Sequence, residues 1–550
     1  VSVGEAADIS AGTDIAAEAA ELVTSLMLRP WGQVSTSVYE TGRLVSLAPW
    51  LTGHRERVDY LIRTQRQDGA WGAPDGYGVV PTLSATEGLL AALTRGDLDA
   101  GRTSPAAQAG PQTGAALAAS TRADPETDRA SLAGAVERGL RVLTTWLSGP
   151  LDLPDMPAIE HIVPSLVARI NQRVEDLPGQ APIPLPAAMS YDALHVVRSR
   201  VRSGKEVPEK LLHALEIASD AAAGAPGIRP TPIGSVGASP AATAAWLGEH
   251  GERGERDAHD PARGHLEAVV RLYGGPVPVG LPITVFERGW VLSWLLRAGV
   301  EIEVPPEMVA DIRTAIGPAG TPAGPGLPAD ADTTSVALYA LALLDAPYEP
   351  DSLWGFRAGT HFSTWPGEQG VSVSVNAHIL DAFGEYVHRV PAAAPRYEAA
   401  IGELAGWIRE RQQPDGSWTD RWHASPYYAT VSCALALDAF GGESAREAVR
   451  AAAEWTLRTQ RQDGSWGRWE GTAEETAYAI QILLLTSGHA DPRRLEAADR
   501  GHAHLSGRAG EHPPLWHDKD LYVPTAVARA AVIASSHLVR RARAQAVQPR

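Results

Sequence analysis

Cysteine is nearly missing from this chain of 550 residues: Cys433 stands alone. No disulfide can form within the chain, and a structural zinc cluster lacks its thiolates. Cys433 sits in an apolar run and reads as a buried free thiol. Phenylalanine is scarce (5), whereas tryptophan is abundant (16). A basic excess is missing too: 48 Lys and Arg stand against 65 Asp and Glu, for a net charge of −17 and a pI near 5.5. That balance excludes a typical nucleic-acid binder, which carries a basic face. It also excludes an electrostatic membrane anchor. The short basic stretch Arg540-Arg541-Ala-Arg543 reads as a solvated end. No apolar run approaches membrane-spanning length, and acids stand where a signal peptide would carry basic residues. The expectation is a cytoplasmic protein with no nucleic-acid partner and no integral membrane association. No glycine-rich phosphate loop ending in Lys-Ser/Thr occurs.

What is present is helical periodicity. Apolar residues recur at helical spacing over 8–28, 133–147, 159–174 and 211–223, and again over 376–383, 399–411, 429–440, 445–459, 476–485 and 523–539. Strand-like alternation is rare, so the fold class is all-α. The length suits two domains, and 44% hydrophobic residues suffice for large cores. Residues 100–128, rich in Ala, Thr, Pro and Gly without periodicity, read as a surface loop or insert. A Pro/Gly-rich extended stretch from Tyr273 to Val285 precedes Phe286-Glu-Arg-Gly-Trp290, where the crossing into a second domain is expected.

One seven-residue pattern occurs three times: Gln65-Arg-Gln-Asp-Gly-Ala-Trp71, Gln412-Gln-Pro-Asp-Gly-Ser-Trp418 and Gln460-Arg-Gln-Asp-Gly-Ser-Trp466. Each follows an amphipathic helix. Asp-Gly makes a turn, Gln can bond backbone carbonyls at a helix end, and Trp packs over the junction. Such units staple helix pairs into closed or stacked arrays and carry no catalysis.

The stretch with chemical content is Pro328-Ala-Asp-Ala-Asp-Thr-Thr-Ser335. It follows a Pro/Gly-rich loop and precedes an apolar helix. Asp and Thr in that position are ordinary helix N-caps. They are also two close carboxylates, which do not readily both ionise. A helix N-terminus favours the anion. The two effects coexist if Asp330 caps and stays charged while Asp332, further in, keeps a proton strong enough for a weakly basic alkene.

Asp-x-Asp-Thr-Thr resembles the acid motif of class II terpene cyclases, usually Asp-x-Asp-Asp, with Thr333 in the fourth position. The three repeats are similar to the Gln-Trp motifs of triterpene cyclases and their diterpene relatives. Ser37-Val-Tyr-Glu-Thr41, Ser239-Pro-Ala-Ala-Thr-Ala244 and Phe286-Glu-Arg-Gly-Trp290 resemble further segments of that family, and together the matches span roughly 30–530. The resemblance implies two (α/α) barrel domains, called β and γ, without a class I α domain. Residues 1–29 would be the first helix of β, 30–285 the inserted γ domain, and 286–550 the rest of β with the acid motif.

The resemblance also implies the reaction: Asp332 protonates a terminal alkene of a prenyl diphosphate, the cation runs through ring closures, and the diphosphate is retained. Asn376 would hydrogen-bond Asp332 and aim its proton. His378, two residues on, points elsewhere on a helix and reads as a core or surface histidine. Trp365, Trp422, Tyr427 and Tyr428 are candidates for an aromatic cation-facing wall; each also reads as plain core packing. Arg421 and Lys519 are candidate phosphate contacts. Glu249 and Glu252 occupy the place of the family's acidic, Mg2+-associated segment without reproducing its pattern, and also read as a solvated helix end. No two aspartates are adjacent, so the Asp-Asp-x-x-Asp motif of class I terpene synthases is missing. Cys433 has no Asp two residues before it, which weakens a prenyltransferase-like zinc site. The expected activity is that of a bacterial diterpene cyclase, geranylgeranyl diphosphate to a bicyclic copalyl-type diphosphate. The alternatives are farnesyl to drimenyl diphosphate, and a non-catalytic helical-barrel protein that binds an apolar ligand or a partner. A monomer or homodimer is expected.

Overall fold

The computed structural model describes residues 4–97, 125–175, 177, 179–248, 261–368, 370–506 and 512–547. These form helices α1 (Gly4–Leu28), α2 (Val38–Leu47), α3 (His54–Thr64), α4 (Val79–Arg95), α5 (Pro125–Leu147), α6 (Ile159–Val174), α7 (Asp192–Arg202), α8 (Pro240–Leu247) and α9 (Pro261–Tyr273). They continue as α10 (Thr284–Arg297), α11 (Pro306–Ala315), α12 (Ala331–Leu343), α13 (Val373–Arg389), α14 (Ala394–Arg409) and α15 (Pro426–Phe440). The last are α16 (Arg446–Arg458), α17 (Ala473–Leu485), α18 (Pro492–Ser506) and α19 (Thr525–Val547). Strand is confined, among the described residues, to two hairpins: β1 (Arg357–Ala358) with β2 (His361–Phe362), and β3 (Trp516–His517) with β4 (Leu521–Tyr522).

The fold is all-α and contains two (α/α) barrels. In the larger, α10, α12, α13, α15, α17 and α19 each pack on the next, and α19 packs back on α10 to close the ring. An outer layer bridges neighbouring inner helices: α11 over α10 and α12, α14 over α13 and α15, α16 over α15 and α17, α18 over α17 and α19. The sixth outer position, over α19 and α10, is filled by α1 from the far end of the chain. In the smaller barrel, α2, α4, α6, a 3-10 helix (Glu209–Ala221) and α8 form the inner ring, closed by α8 against α2.

The two layers differ in sequence for a physical reason. An inner helix touches both the lumen and the outer layer, so α12 is apolar nearly all round. An outer helix has a wet face: α16 buries Val449, Ala452 and Ala453 and exposes Arg446, Glu447 and Arg450. Inner helices α2, α8, α12, α13, α15 and α17 all start on Ser, Thr or Asp caps whose side chains accept from a backbone N–H two or three residues on.

The repeats do what their residue types allow. Gln65, Gln412 and Gln460 each donate from Nε2 to their own turn (Gly69, Gly416 and Gly464 O, each 2.9 Å) and to the next outer helix (Ala135, Ala448 and Ala497 O, 3.0, 2.8 and 2.8 Å). Trp71, Trp418 and Trp466 donate from Nε1 to the preceding outer helix at 2.8, 2.8 and 2.7 Å. Their backbone N–H groups donate to Thr82, Thr430 and Thr476 on the following inner helix. Gly69, Gly416 and Gly464 turn with φ of +91°, +98° and +85°, which only glycine adopts without strain.

Two expectations are revised. The stretch 211–223 is a 3-10 helix, not an α-helix, and leaves helical geometry at Ala214 and Ser219. The break lets one segment serve two cores: Ala214 and Ile217 face the smaller barrel, while Leu215 and Ala218 face a separate cluster under α8. The expected loop over 100–128 lies mostly outside the described residues, but α5 already begins at Pro125.

Candidate active site

Asp330 is the N-cap of α12, its carboxylate accepting from Thr333 N–H at 2.6 Å. The loop before it is pinned by Thr334, whose Oγ1 accepts from Thr321 N–H at 2.9 Å and donates to Asp330 O at 2.6 Å. On the other side Ala331 N–H donates to Thr364 O at 3.0 Å. The motif's threonines therefore fix the backbone that carries the two carboxylates. Burial pushes the Asp330 carboxyl up to about 7 against the pull of the Thr333 hydrogen bond, and the neighbouring Asp332 charge adds to the rise. Asp330 thus caps α12 as expected, while its burial works against the charge expected of it.

Asp332 lies in the first turn, its side chain 14% exposed. It reaches a cavity of about 880 Å³ between the barrels. Asp330 and Thr333 line the same cavity, and so does an aromatic wall of Phe286, Trp365, Trp422, Trp516 and Tyr522. Trp365 and Trp422 meet edge to face at 5.3 Å. The smaller barrel contributes Val197, Arg200 and Lys210 to the lining of the cavity.

The group that touches Asp332 is His378, not Asn376. His378 Nδ1 lies 2.6 Å from Asp332 Oδ1. Asn376 spends its amide on backbone: Oδ1 accepts from Phe362 N–H at 2.8 Å, and Nδ2 donates to Phe362 O and Ser372 O at 2.9 and 2.8 Å. Asn376 holds the β2 hairpin to the start of α13, and has no amide hydrogen left for the acid. Two residues later the helix turns His378 to the lumen. There its ring meets Trp290 and Tyr428 edge to face at 5.6 and 6.2 Å. Trp290 Nε1 donates to Tyr428 Oη at 3.0 Å.

The remaining candidates divide. Tyr428 packs in the lumen behind Trp516, ring centroids 4.8 Å apart, and does not line the cavity. Tyr427 points outward and packs on Trp455 of α16 at 4.6 Å, so it is not part of the wall. Arg421 reaches the cavity but is already paired with Glu368 and, at 2.9 Å, with Asp155. Lys519 does not reach it. At the tip of the β3–β4 hairpin its Nζ meets Glu40 Oε1 at 2.6 Å, Ser239 Oγ at 2.8 Å and Glu216 Oε1 at 3.2 Å, all buried. That ammonium is saturated, so the expected phosphate contact is withdrawn. Flanking it, Asp518 meets His213 at 2.9 Å and Asp520 accepts from Ser37 Oγ at 3.0 Å. The Ser37, Glu40 and Ser239 segments thus receive the hairpin of the other barrel. Glu249 and Glu252 lie outside the described residues, and among the described residues no group of three or more His, Cys, Asp or Glu could hold a metal ion. Phe286, Trp516 and Tyr522 were not singled out by sequence as wall residues; Phe286 stood in Phe286-Glu-Arg-Gly-Trp290, read there as a domain junction. His378 was read as a core or surface histidine, and that reading is corrected by its contact with Asp332.

Residues 369–521 match the family model described as the squalene-hopene cyclase C-terminal domain. Over the whole chain there is 40% identity to the ent-copalyl diphosphate synthase of Streptomyces sp. (strain KO-3988), covering 96% of each protein. The labda-7,13-dienyl diphosphate synthase of Streptomyces clavuligerus is 39% identical, over 96% of this chain and 94% of that one. The solved ent-copalyl diphosphate synthase from Streptomyces platensis superposes with a TM-score of 0.85 at 44% identity, covering 96% of this chain and 99% of that one. With a carboxylate pair at a helix start, an aromatic cavity between two helical barrels, and this likeness along nearly its whole length, the chain belongs to the class II terpene cyclases.

Proposed function

We propose that the protein converts geranylgeranyl diphosphate to a bicyclic copalyl-type diphosphate, with Asp332 as the general acid. The observation that carries this is the Asp332–His378 pair, with Asp332 lining an aromatic cavity. With His378 donating from Nδ1 to Oδ1, the acid's proton sits on Oδ2. The imidazole then stabilises the carboxylate left after transfer. Protonation of the terminal alkene creates a tertiary cation. Two ring closures move the charge inward, and loss of one proton ends the sequence, so the product is an isomer of the substrate with its diphosphate intact. The aromatic wall stabilises positive charge without offering a lone pair to trap it.

The diphosphate needs positive charge. Arg200 and Lys210 on the smaller barrel's wall are proposed to supply it, with Arg421, which lines the same cavity. A Mg2+ ion bound with the diphosphate would balance the rest of its charge. Names of relatives with different double bonds in the product, ent-copalyl and labda-7,13-dienyl diphosphate synthases, support a shared bicyclic cation that is deprotonated at different carbons.

Incubation with geranylgeranyl and farnesyl diphosphates together, then phosphatase and mass spectrometry, tests the reading. A cyclised twenty-carbon alcohol in excess is expected. A kcat/KM preference for the fifteen-carbon substrate would move the assignment to a drimenyl-type product. No cyclised alcohol from either would leave a helical-barrel binding protein.

A further inference from the structure

We propose that Glu474, a residue outside the cavity, acts through Trp516 to strengthen the wall's hold on the carbocation. Trp516 lines the cavity. Its indole N–H donates to Glu474 Oε1 on α17 at 2.7 Å. Glu474 is fully buried and does not line the cavity.

Three donors converge on that one oxygen. Besides Trp516, Tyr478 Oη donates at 2.8 Å and His423 Nε2 lies at 3.4 Å. Ser425 N–H donates to His423 Nδ1 at 3.0 Å, which leaves the ring's proton on Nε2, facing the carboxylate. Burial by itself would push the Glu474 carboxyl up, but the hydrogen bonds of His423 and Tyr478 outweigh it and hold the group below its ordinary value. The anion is therefore built in. Its second oxygen, Oε2, is buried and without a hydrogen-bond partner.

A carboxylate in contact with the cation would take a proton from it or form a bond to it. One ring back, it can do neither. What it does is polarise the indole: an N–H drawn toward an anion leaves the π face more negative, and in a dry site that effect is unscreened. Trp516 is held for this by Phe286, edge to face at 5.5 Å, and Tyr428 at 4.8 Å. Glu474 is thus a positioning residue whose charge reaches the substrate only through the indole.

The inference rests on the cationic cyclisation proposed above. That reading fails if the wild-type protein makes no cyclised alcohol; this one is judged on a protein that does. The experiment compares wild type with Glu474→Gln, which keeps an acceptor for the indole and removes the charge. Two prenyl diphosphate analogues are titrated: one carrying a protonated tertiary amine at a ring-forming carbon, the other its neutral saturated counterpart. Expected are about tenfold weaker binding of the ammonium analogue, less than twofold change for the neutral one, and a fall in kcat with KM nearly unchanged. In a Trp516→Phe background the Glu474→Gln change should have no further effect on the ammonium analogue. Equal weakening of both analogues, or none, overturns the proposal. If Glu474→Gln does not fold, benzothienylalanine placed at 516, which keeps the aromatic face but has no N–H to give Glu474, gives the same decision. Weaker binding of the ammonium analogue alone supports the proposal, and equal weakening of both analogues, or none, refutes it.

Discussion

Replacing Asp332 by Asn removes the acid while leaving almost everything else in place. The amide is nearly isosteric, and the site is already partly open to the cavity, with the side chain 14% exposed. With Asp332 as the protonated acid, the amide oxygen of Asn can still accept from His378 Nδ1, which lies at 2.6 Å. What is lost is at most the difference between two neutral hydrogen bonds, so the net loss of stability should be no more than about 0.5–1.5 kcal/mol. At about 2–4 °C per kcal/mol or less for a chain this long, Tm should fall by only a few degrees. Turnover is another matter. The proposed acid is gone, and the neighbouring Asp330, although its carboxyl is raised, is turned by Oδ1 to the cap of α12 and has no His378 to steady the charge left after transfer. A loss of at least ~10³-fold in kcat is expected, about 4 kcal/mol of barrier. The assay is product alcohol per unit time by gas chromatography–mass spectrometry, beside a circular dichroism melt. An Asp332→Asn protein with more than a tenth of wild-type turnover would refute the assignment of the acid. A collapsed melt would refute the claim that the site tolerates an amide.

Asp330→Asn bears on pH. The folded carboxyl is raised from 3.8 to about 7, so the fold binds this proton more tightly than the unfolded chain does. That contribution is present in full below pH ~4 and is lost as pH climbs from about 4 to about 7. The substitution should therefore make the denaturation midpoint fall less between pH 5 and 8, measured in guanidinium; an unchanged slope would count against the raised value. Asn376→Ala should destabilise by about 2–4 kcal/mol, because Phe362 N–H and O lose their buried partner. Yet the folded fraction should keep much of its kcat, whereas His378→Phe should lower kcat with little change in Tm; the reverse ranking would restore Asn376 as the acid's partner. Lys519→Ala should cost about 3–5 kcal/mol by stranding Glu40 and Glu216 without their counter-charge. Its KM for the diphosphate substrate should stay nearly constant in the folded protein; a large rise in KM would return Lys519 to the diphosphate site.

What the sequence made legible were features with local causes. The acid loop shows itself by carboxylates before an apolar run, and the repeats by Gln, Asp-Gly and Trp at fixed spacing; each acts within a turn or across adjacent helices. His378 escaped because its role depends on how α13 is rotated against α12. Counting two residues from Asn376 says only that the two side chains diverge, not which one faces Asp332. Tyr427 and Tyr428 are neighbours of identical chemistry, and one points to the outer layer while the other points to the lumen. Lys519 looked like a free cation because Glu40 and Glu216, which neutralise it, lie hundreds of residues earlier in the chain. Trp516 and Tyr522 sit on a hairpin only two residues per strand, too short for any periodicity to announce.

The placement of α1 in the larger barrel sets a timetable for synthesis. Its apolar face, Ile15, Ala19, Leu22, Val23 and Leu26, is fully covered only when α10 and α19 have both left the ribosome. At about 5–20 residues per second, the wait from α1 to the end of α19 is roughly half a minute to two minutes. Through that time the smaller barrel can close on its own neighbours while the apolar face of α1 stays uncovered. A nascent chain of this design is a natural client for a chaperone that binds early and lets go late. By the same logic, a permuted gene that encodes α1 directly after α19 should shorten the exposure and raise the soluble yield.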